Sequence, residues 1–301
     1  MKQNRKRLSK PAGWILFICA LGLFCVQIGY LFVNAKYQAE YIDDRLFYII
    51  NIACALCLAL AIWFLLEINK AVKLVTLCVI ILFIVSSGGL LVKSNQEVNH
   101  ITSLSPDWKH VLSIKENVES GDAIYYRSYY GILARPKERL HNQIDGEVKV
   151  EWLANDIAVL TYKTENQTVQ QFIATYGDRG GGLAYYYVGA EIHGRWQSDD
   201  IEVESNTEGI TVTENGTTDS FQWDDIVQFG TLAVVLMKNN EAAWTLSLNE
   251  DFDVHSAANT APTGTISLYK ATLEKNKPYT LTYRLHNEGI DHMKWMWQKL
   301  V

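Results

Sequence analysis

The chain has 301 residues, a mean hydropathy of −0.02 and a formal net charge of −6. Residues 1–92 hold 9 Lys and Arg against 4 Asp and Glu (+5), and residues 93–301 hold 18 against 29 (−11). An acidic second segment excludes a broad phosphate-binding surface, which needs clustered cations, so no nucleic-acid partner is expected.

The first 13 residues carry Lys2, Arg5, Lys6, Arg7 and Lys10. Three apolar runs follow, at about 14–33, 47–66 and 72–92. Each is about 20 residues, enough at 1.5 Å per residue to cross a hydrocarbon core of roughly 30 Å. They are apolar all round, unlike the amphipathic helices of soluble cores. Lys70 and Lys73 lie in the second loop, whereas Lys36 and Arg45 in the first are offset by Glu40, Asp43 and Asp44. Basic residues mark the cytoplasmic side. The expected arrangement is a multi-pass protein of the cell membrane, with the N-terminus cytoplasmic and the C-terminal domain outside. Val33-Asn34-Ala35 offers small residues for signal cleavage, but the first run is longer than a signal peptide needs.

Within the spans, Cys54 and Cys57 have C-x-x-C spacing, without a His or acid beside them, and read as small apolar residues. Gln27 and Asn51 read as polar contacts between helices, and Ser86-Ser87-Gly88-Gly89 as a place of close helix approach. All five cysteines lie in residues 1–92. The second segment therefore has no disulfide and depends on its core alone. An exported domain without cysteine points to a bacterial envelope, of the Gram-positive kind.

Residues 93–106 are polar and read as a linker. From 107 to 301, helical periodicity gives way to short β-branched and aromatic runs punctuated by Gly, Asn and Asp, the pattern of a mainly-β extracytoplasmic domain. A sandwich or two small β-subdomains is expected. Strands are expected at 111–115, 123–133, 148–152, 157–163, 169–176, 183–192, 201–204, 209–213, 220–223, 232–238, 243–248, 265–271 and 279–285. Asn215-Gly216 suits a type I′ hairpin, since both residues tolerate positive φ. The hairpins beginning at Ala158 and Ala233 resemble each other, and each follows a Trp phrase, at Trp152 and Trp223. Ser105-Pro106-Asp107-Trp108-Lys109, ahead of an apolar strand, resembles the Ser-Pro-Asp-Gly-Lys phrase opening blades of TolB-type β-propellers. Trp108 stands where that family has glycine. The phrase occurs once, and 209 residues are short for four-stranded blades, so the resemblance implies no function.

Three groups are candidates for chemistry. Tyr125, Tyr129, Tyr185 and Tyr187 suit an aromatic platform for sugar rings or a peptide, because alternate strand residues share a face. In Gly177-Asp178-Arg179-Gly180-Gly181-Gly182 the glycines permit close backbone approach and Arg179, next to Asp178, suits an anion. Asp251, Asp253 and His255 alternate and would converge on a divalent cation. The last residues, 291–301, read as a short helix with Met293, Met296, Trp297 and Leu300 on one face. No nucleophile elbow or His-Glu-x-x-His occurs, and no cofactor is expected. The expected function is a non-enzymatic, membrane-anchored binding or envelope-sensing protein. Its expected partners are the lipid bilayer and another membrane or envelope protein or a cell-wall glycan. The alternatives are an envelope enzyme acting on wall or surface polymers, and an accessory subunit of a membrane complex.

Overall fold

Apolar, nearly charge-free runs leave the backbone no solvent partner in lipid, and helix formation satisfies it internally. The computed structural model, which describes residues 2–66, 69–177, 187–253 and 261–284, places them in helices α1 (Lys2–Tyr37), α2 (Arg45–Leu65) and α3 (Lys70–Glu97). Each is long and apolar enough to cross a membrane, and most of their large side chains face outward. Such exposure is tolerable in lipid and not in water. The chain is a multi-pass membrane protein. α2 packs on both α1 and α3. Gln27 acts between helices as its polarity suggests: its Nε2 donates to the Phe47 carbonyl at 2.8 Å, and its Oε1 accepts from the Tyr41 hydroxyl at 3.4 Å.

The described residues form two compact units. The first joins the helices to a five-stranded antiparallel sheet of β1 (Glu40–Tyr41), β2 (Val98–Leu104), β3 (Val111–Asn117), β4 (Ala123–Tyr130) and β5 (Leu133–Arg139), in the order β1-β5-β4-β3-β2. β1 comes from the loop between α1 and α2, so a membrane loop supplies the edge of a sheet. The run 123–133, expected as one strand, is instead a hairpin. Gly131 takes φ +61, and the chain reverses there into β5. The expected linker 93–106 carries the end of α3 and strand β2, which pairs on β3 and buries Ile101.

The second unit contains β6 (Val148–Ala154), β7 (Ile157–Lys163) and β8 (Val169–Thr175), a three-stranded sheet. The meander β9 (Gly194–Ser198), β10 (Ile201–Ser205), β11 (Gly209–Glu214) and β12 (Thr217–Gln222) follows. A second meander is β13 (Ile226–Phe229), β14 (Ala233–Lys238), β15 (Glu241–Leu248), β16 (Thr265–Lys270) and β17 (Tyr279–Arg284). β17 pairs with β9, which welds the meanders into one nine-stranded antiparallel sheet. Its two edges, β12 and β13, are linked by a single 3-10 turn at Trp223–Asp225. The sheet therefore curls into a near-closed barrel.

The barrel interior holds Trp196, Val203, Val212, Phe221, Leu236, Trp244, Leu246, Ile266 and Leu268. Helix α4 (Val188–Glu191) lies within the expected strand 183–192, whose residues 183–186 fall outside the described ones. Val188 and Ile192 join the barrel core, and a Cβ on Gly189 would lie 2.3 Å from the Trp223 ring. That close approach selects glycine and a tight helical turn. The two hairpins alike in sequence pack on one another: Ile157, Val159 and Ile173 meet Ala233, Val235 and Ala242. β14 is thus buried on both faces, which explains its unbroken apolar run. Asn215 and Gly216 take φ +50 and +78, as the type I′ turn requires.

The sheets have five, nine and three strands and do not repeat as propeller blades. Trp108 nevertheless takes φ +66 where the propeller phrase has glycine, and it is 79% exposed. A bulky residue in the left-handed region costs of order 1–3 kcal/mol. Trp108→Gly should therefore stabilise the protein by about 1 kcal/mol, after the extra chain entropy of glycine is subtracted. Thermal unfolding of the purified protein in detergent should show a rise of a few degrees. A fall would mean that the indole makes a stabilising contact.

Candidate functional site

The strongest concentration of interacting charge in the first unit is built where β1, the start of α2, β2 and β3 meet. β3 reads Val111-Leu-Ser-Ile-Lys-Glu-Asn, and alternation puts Ser113 and Lys115 on one face. That face meets the loop between α1 and α2. The Ser113 hydroxyl donates to the Ile42 carbonyl at 3.0 Å. The Lys115 ammonium donates to Glu40 Oε2 at 2.7 Å and to Asp44 Oδ1 at 2.6 Å, and lies 4.4 Å from the centre of the Tyr126 ring. Its side chain is 7% exposed, against 37% and 30% for the two carboxylates. A buried ammonium persists only when paired and hydrogen-bonded.

Asp44 precedes α2 and has a further partner. His100 on β2, whose side chain is 2% exposed, places Nε2 3.2 Å from Asp44 Oδ2 and 3.3 Å from the Asp44 backbone nitrogen. Burial alone would raise the Asp44 carboxyl, but hydrogen bonds from His100 and Lys115 and their charge outweigh it and hold the group below its ordinary range. Asp43 accepts from the Arg45 amide at 3.0 Å and pairs with its guanidinium. Burial, then the charge of Glu40, pushes the Tyr126 phenol well up.

Glu40, Asp44, Lys115 and Tyr126 line an open cleft of about 470 Å³. Val98, Asn117, Ser120 and Ile124 contribute to its wall, as do Asp122 and Arg139, which form an ion pair. The volume falls in the range of small-molecule sites, roughly 300–1,000 Å³.

The residues singled out from sequence fare differently. Tyr125 is buried at 3%, whereas Tyr129 is 57% exposed. A bulge between Ser128 and Tyr130 displaces Tyr129 from the alternation, and Tyr126 is buried on the face opposite Tyr125. The two tyrosines therefore share no exposed platform. Tyr129 instead lies 5.8 Å from the Arg135 guanidinium. Tyr187 is exposed ahead of α4. Asp178, Arg179, Tyr185 and His255, like the expected C-terminal helix at 291–301, lie outside the described residues. Asp251 is occupied by structure: its Oδ1 accepts from the Thr265 amide at 3.2 Å and hydroxyl at 2.8 Å. Asp253 is exposed near it. Among the described residues, no three His, Cys, Asp or Glu side chains are grouped to hold a metal ion.

The sequence reading missed Lys115, Asp44, Glu40, His100, Asp122, Tyr126 and Arg139 as a site. One signal was present: Lys115 occupies a strand position on the face shared with Val111 and Ser113, where a lysine needs an acidic partner. The chain matches no protein-family model, no curated protein and no solved structure.

Lys115→Met removes the cation and leaves two part-buried carboxylates facing each other. Breaking a buried pair costs about 3–5 kcal/mol, and partial exposure reduces this to about 2–3. The sign with pH follows from Asp44. Its folded carboxyl titrates below the ordinary 3.8, so its stabilisation is present above that value and lost as pH falls through the folded one. The deficit of Lys115→Met should be full at pH 7 and shrink as pH falls below the ordinary 3.8 of Asp44, toward the lowered value that the lysine helps to maintain. Thermal unfolding from pH 3 to pH 8 measures it; a deficit of constant size would disprove the ion-pair account.

Proposed function

We propose that this chain is a non-enzymatic binding or sensing protein of a bacterial, Gram-positive envelope, anchored in the membrane with its β-rich part outside. The observation that supports this reading is the joint between helix and sheet. β1, Glu40 and Asp44 belong to a loop between membrane helices, and they pair with β5 and with Lys115 of the sheet that bounds the cleft. Occupation of such a cleft bears directly on the start of α2. A site whose walls are continuous with membrane helices suits a receptor better than a freely tethered module. The basic N-terminus and the lysines of the second loop support the orientation.

The accessory-subunit reading has one observation in its favour. α3 packs chiefly on α2, and Cβ atoms added at Gly88 and Gly89 would meet nothing within 4 Å. That face is free for close approach by another helix.

Two measurements test the proposal. Protease added to intact protoplasts should remove the C-terminal domain; full protection would reverse the orientation. A photo-reactive residue in place of Ser120, at the cleft, should give a defined adduct in native membranes that is lost in Lys115→Met. The same adduct from a residue placed at Glu165, remote in sequence from the cleft, would show that capture is indiscriminate and the reading wrong.

A further inference from the structure

We infer that the cleft between Glu40, Lys115 and Arg139 receives a ligand bearing both an ammonium and a phosphate, supplied by the headgroup of a zwitterionic phospholipid. The inference rests on the cleft being the binding site proposed above, and adds what it binds.

Depth is the first argument. Asp44 lies three residues before Phe47, where the apolar run of α2 begins, which is ~4.5 Å along a helix axis. Val98 follows α3 and lies six residues beyond Val92, the last of its apolar run, or ~9 Å. α2 starts and α3 ends at the same face of the membrane. The polar layer outside the hydrocarbon core is roughly 5–8 Å thick on each side. Both ends of the cleft wall therefore fall within that layer or at its outer edge.

Charge is the second. The lining holds the carboxylates of Glu40, Asp44 and Asp122 against the cations of Lys115 and Arg139. An anion alone meets a wall of net negative charge, and a cation alone that is drawn to Asp122 competes with Arg139, which already pairs with that carboxylate. A ligand carrying both signs satisfies both. Lys115 is buried and committed to Glu40 and Asp44, whereas the Arg139 side chain is 65% exposed and its guanidinium suits a phosphate fork. Glu40 and Asp122 pair with Lys115 and Arg139, and each, about a third exposed, keeps carboxylate surface toward the cleft for an ammonium.

Full-length protein in detergent, offered equal amounts of phosphatidylethanolamine and phosphatidylglycerol, should retain the first preferentially in native mass spectrometry. Arg139→Gln should weaken that retention about tenfold, the effect of losing a charge-assisted contact. Its exposed side chain predicts an unchanged melting temperature, which separates lost binding from lost folding. Equal retention of the two lipids, or retention indifferent to Arg139→Gln, overturns the inference. Free phosphoethanolamine that displaces the lipid at equal concentration would assign the same chemistry to a soluble ligand and overturn the lipid source. If the lipid result is negative while the Ser120 adduct persists, binding at the cleft stands and only the ligand is wrong. Loss of both removes the binding reading itself.

Discussion

The burial of one ammonium group constrains the first unit. Lys115 is removed from water on the inner face of β3, and desolvation of a charge costs several kcal/mol unless opposite charges answer it. Both answering carboxylates come from the loop between α1 and α2, more than 70 residues earlier. The loop must therefore fold back on the sheet, and only one register of β1 against β5 brings Glu40 and Asp44 to the ammonium. The Ser113–Ile42 bond and the Ile42 amide donating to the Ile132 carbonyl at 3.0 Å reinforce that register. A two-residue strand has no register of its own; here buried charge supplies it.

The parts legible in sequence are those whose cause is local. Membrane helices announce themselves because lipid demands a long apolar run with internal hydrogen bonds. Strands such as β7 and β11 announce themselves because a short β-branched or apolar run and an adjoining turn lie within a few residues. β5 escaped because Arg135-Pro136-Lys137-Glu138-Arg139 is polar and its pairing is imposed by the hairpin at Gly131. α4 escaped because it is a single four-residue turn inside an apolar and aromatic run that suits a strand; the crowding of Gly189 against Trp223 decides otherwise. The cleft escaped for a related reason. Glu40 and Asp44 carry a complete local explanation as charges offsetting Lys36 and Arg45, and nothing nearby reveals the lysine they hold.

The second unit solves a different problem. Without cysteine, it depends on burial alone, and a nine-stranded sheet left flat would expose two long edges. Pairing β17 with β9 removes two edges, and the 3-10 turn at Trp223–Asp225 holds the other two, β12 and β13, close together. One side of the barrel is then covered by β6, β7 and β8. A short polar chain crosses this contact: Thr245 donates to Gln171, and Gln171 donates to Thr161. Buried polar groups so satisfied fix how the two sheets face each other, where an all-apolar contact would permit sliding.

The tie at His100 bears on how the first unit works. Its Nε2 lies within reach of both the Asp44 amide and the Asp44 carboxylate, and one nitrogen serves only one of them at a time. In one tautomer it accepts from the amide at the start of α2. In the other it donates to the carboxylate. Either way β2 stays attached to the start of α2. Lys115 grips the other oxygen of the same carboxylate throughout. The wall of the cleft is accordingly a fixed surface rather than a gate. A ligand there would find its partners already in place, and its effect on the membrane helices would pass through a joint that stays closed in both tautomers of the histidine.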